Sequence, residues 1–481
     1  MTNRPLLIAL TFAVTMLRTA PLPAQQQALA AYEGEFDYHG DTRLVLVARD
    51  SLLFAVIDDA RYPLRRLDGD RFINAAKDTI PFRRAADNSI AGFVERGVYF
   101  ARRSARVEPE IAAAVRARAR PLGSGGRPAP YIYRKPAQAG DGIRTADIAH
   151  AGLDTAAIAR VVARVADGTY PDLHSVLVYR NGRLAAEEYF YEYDRDRPHQ
   201  MRSATKSVVS ALVGIAIDRG LLPSDTALVT ARLSYDGYAN PDPRKDRLTL
   251  RDLLTMRSGL ACDDRNGDSP GNESRMYPTA DWPKFVLDLP MLDTPGTKGS
   301  YCSGNVKVAG RIVERAAGMS LPSFAQRYLF DPLGIRARDL RWPYALTSSN
   351  AATFAQLYLR PRDMLKLGIL FHQHGRWNGR QVISREWVER STAKWSFIGD
   401  QDYGYFWWHQ WVDVATPTGT QRVDMVVATG NGGQKIYVIP SLDAVVVMTG
   451  GSYNSNSPAT TIMRSELLPA MLRSTSKRAQ R

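Results

Sequence analysis

A long apolar helix that opens with a serine and a lysine restricts the fold of this chain more than any other feature. Between Met201 and Ile215 the apolar residues repeat at helical spacing, and Gly220 follows where helices commonly stop. Ser203 and Lys206 are three residues apart, so their hydroxyl and amine share one helix face. The unpaired N–H groups of a helix start also favour an anion. The stretch therefore predicts a serine nucleophile beside a base, as acyl transfer requires.

The same serine–lysine spacing occurs twice more, in different surroundings. Ser391 and Lys394 come late in a helical stretch, at the end of the helix dipole that disfavours an anion. Ser474 and Lys477 lie in a polar, basic tail. Only Ser203 opens a long apolar helix. On spacing alone, a helix-start serine beside a surface lysine remains the alternative interpretation.

The length and charge of the chain limit the number of domains and the kinds of partner that we expect. Its 481 residues are enough for two or three domains with a large core. The net charge of +14 comes mostly from arginines spread along the chain, and the densest runs, at 102–103 and 116–120, lack the interleaved aromatics of nucleic-acid grooves. We therefore expect no nucleic-acid partner, with a basic surface for anionic polymers as the alternative.

The N-terminus has the pattern of an export signal. Arg4 precedes an apolar run from Leu6 to Leu17, and residues 21–24 offer a cleavage site. The run is too short to span a membrane. We expect residues 1–24 to be a signal peptide, and the exported protein to be periplasmic or secreted without stable membrane insertion.

Two cysteines are present, Cys262 and Cys302. An even number in an oxidising compartment suggests one bridge, so we expect a Cys262–Cys302 disulfide. The scattered histidines form no zinc motif and no phosphate-binding loop occurs, so we expect neither metal nor cofactor. The stretch 267–271 matches a hydrolase nucleophile elbow, but Pro270 lacks the N–H that this motif needs.

Composition divides the chain into segments. Residues 25–104 show short alternating strands with turn signals, such as Asp50, Asp58 and Asn88, about every ten residues, which predicts a small antiparallel sheet or barrel as an accessory β domain. Residues 105–145, rich in Ala, Arg, Pro and Gly, form a predicted linker with a short helix near 111–119. The main domain is predicted at 146–472, followed by a polar tail at 473–481.

The main domain combines strands from its two ends with helices between them. Asn181 and Gly182 favour a hairpin turn between two early strands. The predicted elements are a helix at 155–166, strands at 175–179, 184–191, 425–428, 436–439 and 444–448, and a terminal helix at 458–472. The middle, roughly 227–421, is predicted to be mostly helical or irregular. This pattern indicates an α+β fold, with one antiparallel sheet flanked by helices and an inserted helical subdomain.

Two further stretches complete a candidate site, at 299–305 and 429–434. The second opens a late strand, and its glycines allow backbone N–H groups to approach a substrate closely, as an oxyanion hole needs.

These motifs, in this order, resemble the serine β-lactamase and penicillin-binding superfamily, in the class C-like branch that includes esterases and amide hydrolases. The matching motifs are Ser203-Ala204-Thr205-Lys206, Tyr301-Cys302-Ser303 (for Tyr-x-Asn) and Ala428-Thr429-Gly430 (for Lys-Thr-Gly). Stretches at 248–256, 331–335 and 403–408 are similar too. The resemblance covers roughly 148–472 and implies a β-lactamase-like fold there, without the preceding β domain.

The resemblance also implies roles for individual residues. Ser203 would attack the acyl carbon, and Lys206, kept from full protonation by burial and neighbours, would share proton transfer with Tyr301. The backbone N–H groups of Ser203 and Asn431 would hold the oxyanion. The expected substrate-binding or supporting residues are Ser303, Asn305, Thr429, Gly430, Gly432 and Trp407; core packing is the alternative for Trp407, as for Tyr405 and Trp408.

Two positions depart from the family pattern. Ser303 replaces the usual Asn, so either Ser303 or Asn305 would orient Lys206. Ala428 replaces the cation that pairs with a β-lactam carboxylate, which favours a neutral acyl group, although Lys435 could partly substitute. We therefore expect an exported serine hydrolase of a small ester or amide. A D,D-peptidase or weak β-lactamase acting on peptidoglycan-type substrates, and a catalytically silent binding protein, are the alternatives.

Overall fold

The computed structural model describes residues 28–38, 43–58, 60–121, 128–233, 235–345, 353–416 and 419–479. The predicted signal peptide, at 1–24, and the glycine-rich part of the predicted linker, at 123–126, lie outside these ranges. Within them, no helix is both long enough and apolar enough to cross a membrane.

The first of two compact units is a closed antiparallel barrel. This unit is built mainly from Arg43–Ala55 and Pro63–Val115. The barrel strands among the described residues are β1 Gly34–Asp37, β2 Arg43–Arg49, β3 Leu52–Ile57, β4 Ala60–Asp68, β5 Arg71–Ile73, β6 Thr79–Arg84, β7 Ile90–Glu95 and β8 Val98–Ser104. Asp50, Asp58 and Asn88 have positive φ, as their predicted turns require. The sequence predicted a sheet or a barrel, and the structure shows the barrel. A closed barrel leaves no open strand edge.

The second unit comprises Val56–Tyr62 and the chain from Arg116 onward, and its described residues contain three two-stranded sheets and one main antiparallel sheet of eight strands. The strands of the main sheet are β9 Leu173–Arg180, β10 Arg183–Tyr189, β11 Ser396–Ile398, β12 Gln401–Tyr403, β13 Trp408–Thr416, β14 Gly419–Gly430, β15 Gln434–Ile439 and β16 Ala444–Gly450. Their spatial order is β10-β9-β16-β15-β14-β13-β12-β11. The early and late strands thus meet in one sheet, as the sequence predicted.

Three of these strands were not expected. β11, β12 and β13 lie in the segment that the sequence predicted to be helical or irregular, and they extend the sheet beyond β14. β11 and β12 have only three residues each, too few for an alternating pattern to be recognised. They form because β13 pairs with β14 and offers them an edge.

Local sequence signals explain the elements nearest the start of the domain. Asn181 and Gly182 both have positive φ, 51° and 76°, so they form the tight turn between β9 and β10 that the dipeptide predicted. The helix at Thr155–Ala166 begins where the Asp154 side chain accepts a hydrogen bond from Ala157 N. A cap of this kind contributes about 1 kcal/mol.

The helices include α10 (Pro361–His372) and α12 (Ala459–Ile462), which pack on the eight-stranded sheet. Those in the described residues are α1 Pro109–Arg116, α2 Thr155–Ala166, α3 Thr205–Asp218, α4 Val229–Arg232, α5 Leu250–Leu254, α6 Glu273–Met276, α7 Trp282–Asp288, α8 Ser303–Ala317, α9 Leu321–Ala325, α10 Pro361–His372, α11 Arg385–Ser391, α12 Ala459–Ile462 and α13 Leu468–Ala479. Gly368 in α10 lies against Ile436, whereas the side chain of the next residue of β15, Tyr437, is fully buried near Thr460 in α12. Because successive strand residues point to opposite faces, α10 and α12 lie on opposite sides of the sheet. At the C-terminus α13 continues to Ala479, where the sequence predicted a separate polar tail.

Candidate active site

Ser203 lies in a short 3-10 turn, Arg202–Ala204, that leads directly into α3. Lys206, in the first turn of α3, donates a hydrogen bond from Nζ to Ser203 Oγ across 3.0 Å. The three-residue spacing thus has the geometry that the sequence predicted. A serine hydroxyl paired with an amine at this distance is within reach of proton transfer.

Tyr301 joins the same pair from the other side. The Lys206 ammonium lies 5.0 Å from the centre of the Tyr301 ring, close enough for a cation–π contact. Tyr301 is 98 residues from Ser203 in sequence, and the fold brings it there at the end of the loop before α8. The three predicted catalytic side chains therefore form one cluster.

The competing serine–lysine motif has no such geometry. Ser391 is fully buried, and its hydroxyl donates to the Val388 carbonyl one turn earlier in α11. Lys394 instead pairs with Asp402 across 2.8 Å. The side chains of Ser474 and Lys477 lie outside the described residues.

The charge state of Lys206 differs from the sequence expectation. Burial by itself lowers the pKa of the Lys206 ammonium, but the charges of Tyr301, Glu273 and Asp264 outweigh burial and raise that pKa above its ordinary value. The expectation that Lys206 is kept from full protonation is therefore wrong. A charged Lys206 acts first as a cation next to Ser203 and Tyr301.

Asp264 organises this side of the site, and sequence reasoning missed it. One carboxylate oxygen accepts from Ser303 N at the start of α8, across 2.6 Å, and the other accepts from Glu273 N across 3.0 Å. The Asp264 N–H in turn donates to the Tyr301 carbonyl across 2.8 Å. Burial, and then the neighbouring Glu273 charge, raise the pKa of the Asp264 carboxyl. The one sequence feature that could have pointed to Asp264 is its position, two residues after Cys262.

Cys262 and Cys302 lie close in sequence to Asp264 and Tyr301, respectively. The structure joins the two cysteines, with Cα atoms 5.4 Å apart, within the range that a disulfide spans. Cys302 lies between Tyr301 and Ser303, and Cys262 lies next to the Asp264 loop. The predicted bridge would therefore connect the two segments that surround Lys206.

A buried lysine behind Lys206 was also missed. Lys307 follows Ser303 by one turn of α8, and its Nζ donates to the Phe354 carbonyl across 2.6 Å. Burial, and then the charge of Lys206, lower the pKa of Lys307 to about 7. Lys206, Glu273, Ser303 and Lys307 line a cavity of about 20 Å³, which has room for one water molecule.

The end of β14 forms the opposite wall. Gly430 approaches the turn that carries Ser203 very closely. A Cβ at position 430 would lie 2.2 Å from the Met201 carbonyl oxygen. Asn431 follows, with its side chain hydrogen-bonded to Asn454, and Gly432 has a φ of 93° that favours glycine. The Asn431 backbone thus comes next to the turn that carries Ser203.

Comparisons with known proteins agree with this geometry. The model of the beta-lactamase family matches residues 158–464. The chain belongs to the beta-lactamase family. The 6-aminohexanoate-dimer hydrolase of Paenarthrobacter ureafaciens is 26% identical over 290 residues, which cover 56% of this chain and 70% of that protein. Esterase EstB of Burkholderia gladioli is 30% identical over 173 residues, covering 34% and 44%. The solved structure of a family VIII carboxylesterase covers 69% of this chain and 99% of its own, with a TM-score of 0.51 and 18% identity.

This beta-lactamase-family chain is a serine hydrolase, and its α+β main domain has the β-lactamase-like fold. The family match begins after the barrel, so it does not cover the first unit. Among the described residues, no group of three or more His, Cys, Asp or Glu side chains could hold a metal ion.

One of the predicted supporting residues, Trp407, does not lie at the candidate site. Trp407 is 1% exposed and packs against Phe371 in the core, so it does not line the site; the next residue, Trp408, is the one that packs on the Tyr301 ring, at 5.5 Å. Asn305 is fully buried, and its amide nitrogen lies 3.6 Å from the Met256 sulfur.

Lys435 does not replace the missing family cation at Ala428. Lys435 pairs across the strands with Thr429 and donates to its hydroxyl across 3.3 Å, whereas Ala428 pairs with Ile436. Neighbouring residues of a strand point to opposite faces, so Lys435 and Thr429 face away from the side on which Ala428 lies. Burial lowers the pKa of Lys435 to about 8.

Proposed function

We propose that this hydrolase cleaves a small ester or amide through an acyl-enzyme on Ser203, with Tyr301 as the proton-transfer group and the Lys206 ammonium as the cation that supports it. The observation that carries the proposal is the 3.0 Å hydrogen bond from Lys206 to Ser203 Oγ, made by an amine that also contacts Tyr301. Nucleophilic catalysis requires this reach between the nucleophile and its activating group.

The charges of the site suggest how the proton moves. Ser203 Oγ attacks the acyl carbon while its proton passes to the phenolate oxygen of Tyr301, the form that the neighbouring Lys206 ammonium favours, because a charged Lys206 cannot itself accept a proton. Tyr301 then gives this proton to the leaving oxygen or nitrogen as its bond to the acyl carbon breaks. Water attacks the resulting ester on Ser203 and loses a proton to Tyr301, which then returns a proton to Ser203 Oγ as the acid leaves.

The oxyanion is proposed to bind two backbone N–H groups, those of Ser203 and Asn431. The close approach of Gly430 to Met201 and Arg202 supports this assignment, since it brings the end of β14 against the turn that carries Ser203, Arg202–Ala204, which we call the nucleophile turn. Donors of this kind stabilise the charge that develops in the transition state.

A D,D-peptidase or weak β-lactamase activity remains the alternative within the same mechanism. The cation at position 428 that pairs with a β-lactam carboxylate in this family is absent, and Lys435 lies on the other face of the strand. These two observations favour the ester or amide.

Intact-mass labelling with a fluorophosphonate, in parallel with a β-lactam, tests the proposal. Wild type should gain one phosphonate adduct, Ser203→Ala should gain none, and Ser391→Ala, which removes the serine of the competing motif, should label like wild type. Stable β-lactam adducts on Ser203 would favour the peptidase alternative. A Ser203→Ala protein that still labels or turns over would place the nucleophile elsewhere.

We also infer that the protein acts outside the cytoplasm. The apolar run from Leu6 to Leu17 and the close pair Cys262 and Cys302 support export. Cell fractionation of the tagged protein tests this inference, and retention in the cytoplasm with both thiols free would contradict it.

A further inference from the structure

Arg202, the residue before the proposed nucleophile, carries a charge that no carboxylate of the described residues balances. Among the described residues, Arg202 has no ion-pair partner, and its Nε is buried without a hydrogen-bond partner. Its guanidinium donates to the Tyr62 hydroxyl and lies 4.9 Å from the centre of the Tyr453 ring. Both tyrosines belong to the same compact unit as Arg202.

Arg362, a buried arginine of the same unit, shows how carboxylates can balance such a charge, whereas Arg202 is only partly buried. Arg362 forms ion pairs with Glu187 across 2.6 Å and with Asp141 across 3.0 Å. A guanidinium stays charged at every physiological pH, and burying it is costly unless an anion compensates. Contacts with two neutral tyrosines compensate only in part. Arg202 therefore lacks its counter-ion.

The position of Arg202 places this unbalanced charge within the active site. The Arg202 Cβ lies 3.1 Å from the point that a Cβ on Gly430 would occupy, so the side chain starts between the nucleophile turn and the end of β14. Arg202 also lines the cavity that Lys206 and Glu273 line.

The backbone at Arg202 is itself unusual. Its φ of 51° lies in the left-handed region, which disfavours a residue with a long side chain. Strain of this kind persists when the surroundings hold a residue in a particular orientation, and it clusters at ligand sites. Here it fixes the direction in which Arg202 leaves the nucleophile turn.

We infer that Arg202 binds a carboxylate of the substrate. This inference rests on the proposed function and narrows it, from any small ester or amide to an acyl compound with a carboxylate near the scissile bond. It replaces the expectation of a neutral acyl group that was drawn from Ala428. A guanidinium matches a carboxylate in charge and in planar geometry, and the buried Nε is one of its donors. Arg202 thus provides, from the nucleophile turn, a cation that the chain lacks at Ala428.

A matched pair of substrates tests the inference. One is the p-nitrophenyl monoester of glutaric acid; the other is the same compound with its free carboxylate capped as a methyl ester. Wild type should show a kcat/KM at least tenfold higher for the anionic substrate. The selectivity ratio is kcat/KM for the anionic substrate divided by kcat/KM for the neutral one. Arg202→Gln should lower this ratio at least tenfold. Arg202→Lys keeps the charge without the planar guanidinium, so its ratio should lie between those of wild type and Arg202→Gln.

The control is Arg265→Gln. Arg265 is exposed and lies 5.6 Å from the Trp408 ring, so this variant removes the same charge near the site. Its selectivity ratio should stay within twofold of wild type. An equal fall in both variants would mean that general positive potential favours anions, and the inference would be overturned. A wild-type ratio of one or less would overturn it even if Arg202→Gln does not fold.

A binding measurement separates this inference from the proposed function. Calorimetry on Ser203→Ala should detect monomethyl glutarate more strongly than dimethyl glutarate, and the double variant Ser203→Ala/Arg202→Gln should lose that preference. If neither p-nitrophenyl ester is cleaved and Ser203 does not label, the proposed function fails while this binding preference still decides the role of Arg202. Equal binding of the two ligands to Ser203→Ala would refute the inference.

Discussion

Replacing Cys262 and Cys302 together by serine tests how the active-site segments are held. The two cysteines are 40 residues apart, and both are buried, at 2% and 1% exposed. In the chain-entropy relation, a bridge across a loop of that length stabilises the fold by about 4 kcal/mol at 25 °C. We expect the double variant to lose about that free energy of unfolding.

The loss should also reach the active site. Beside the bridge, the Ser300 hydroxyl donates to the Cys262 carbonyl across 2.7 Å, and the Asp264 N–H donates to the Tyr301 carbonyl. Without the bridge, these hydrogen bonds alone hold Tyr301 against the Asp264 loop. We therefore expect kcat to fall in the folded double variant.

Urea denaturation followed by tryptophan fluorescence measures the stability change. All eight tryptophans lie beyond Arg116, so the signal reports the second unit alone. With a slope of about 3 kcal/mol per M, the midpoint should fall by about 1 M. Wild type unfolded and refolded under reducing conditions is the matched control and should behave like the double variant. Two free thiols in the denatured, unreduced wild type, or equal midpoints, would refute the reasoning.

Three further predictions concern single residues. Tyr301→Phe should lower kcat by about 10² to 10⁴ because the Tyr301 oxygen moves the proton, whereas Tyr403→Phe, whose ring lies 6.5 Å from that of Tyr301, should keep the rate. Steady-state kinetics that show no change in Tyr301→Phe would contradict this role of Tyr301. Gly430→Ala should lower kcat/KM by about 100-fold, since the new Cβ would meet the Met201 carbonyl oxygen. The control Gly267→Ala adds a Cβ in open space and should keep the wild-type kcat/KM. Equal kcat/KM values for the two variants would contradict the close approach of Gly430. Lys435→Met should stabilise the protein at pH 7 by up to about 3 kcal/mol, because burial lowers the pKa of Lys435 from 10.5 to about 8. Between these two pH values the unfolded chain binds more protons, so wild-type stability should rise from pH 8 to 10.5 and approach that of the variant; a difference that does not change with pH would refute the assignment.

Some features of this protein follow from short stretches of sequence. The Asn181-Gly182 turn and the helix that Asp154 caps form as predicted, because their signals depend only on residues a few positions apart. The spacing of Ser203 and Lys206 fixes a shared helix face in the same way. Motif order along the chain was enough to indicate the family to which it belongs.

Other features depend on contacts between distant segments, and only the tertiary structure decided them. The pKa of Lys206 depends on Tyr301 and on Glu273 and Asp264, the last two of which are about 60 residues away in sequence. Trp407 is a core residue rather than a site residue because it packs on Phe371. Strand pairing decided which face Lys435 occupies. The sequence determines local geometry because backbone preferences act over a few residues. Charge, burial and the missing counter-ion of Arg202 are sums over everything that the fold brings near, so they appear only in three dimensions.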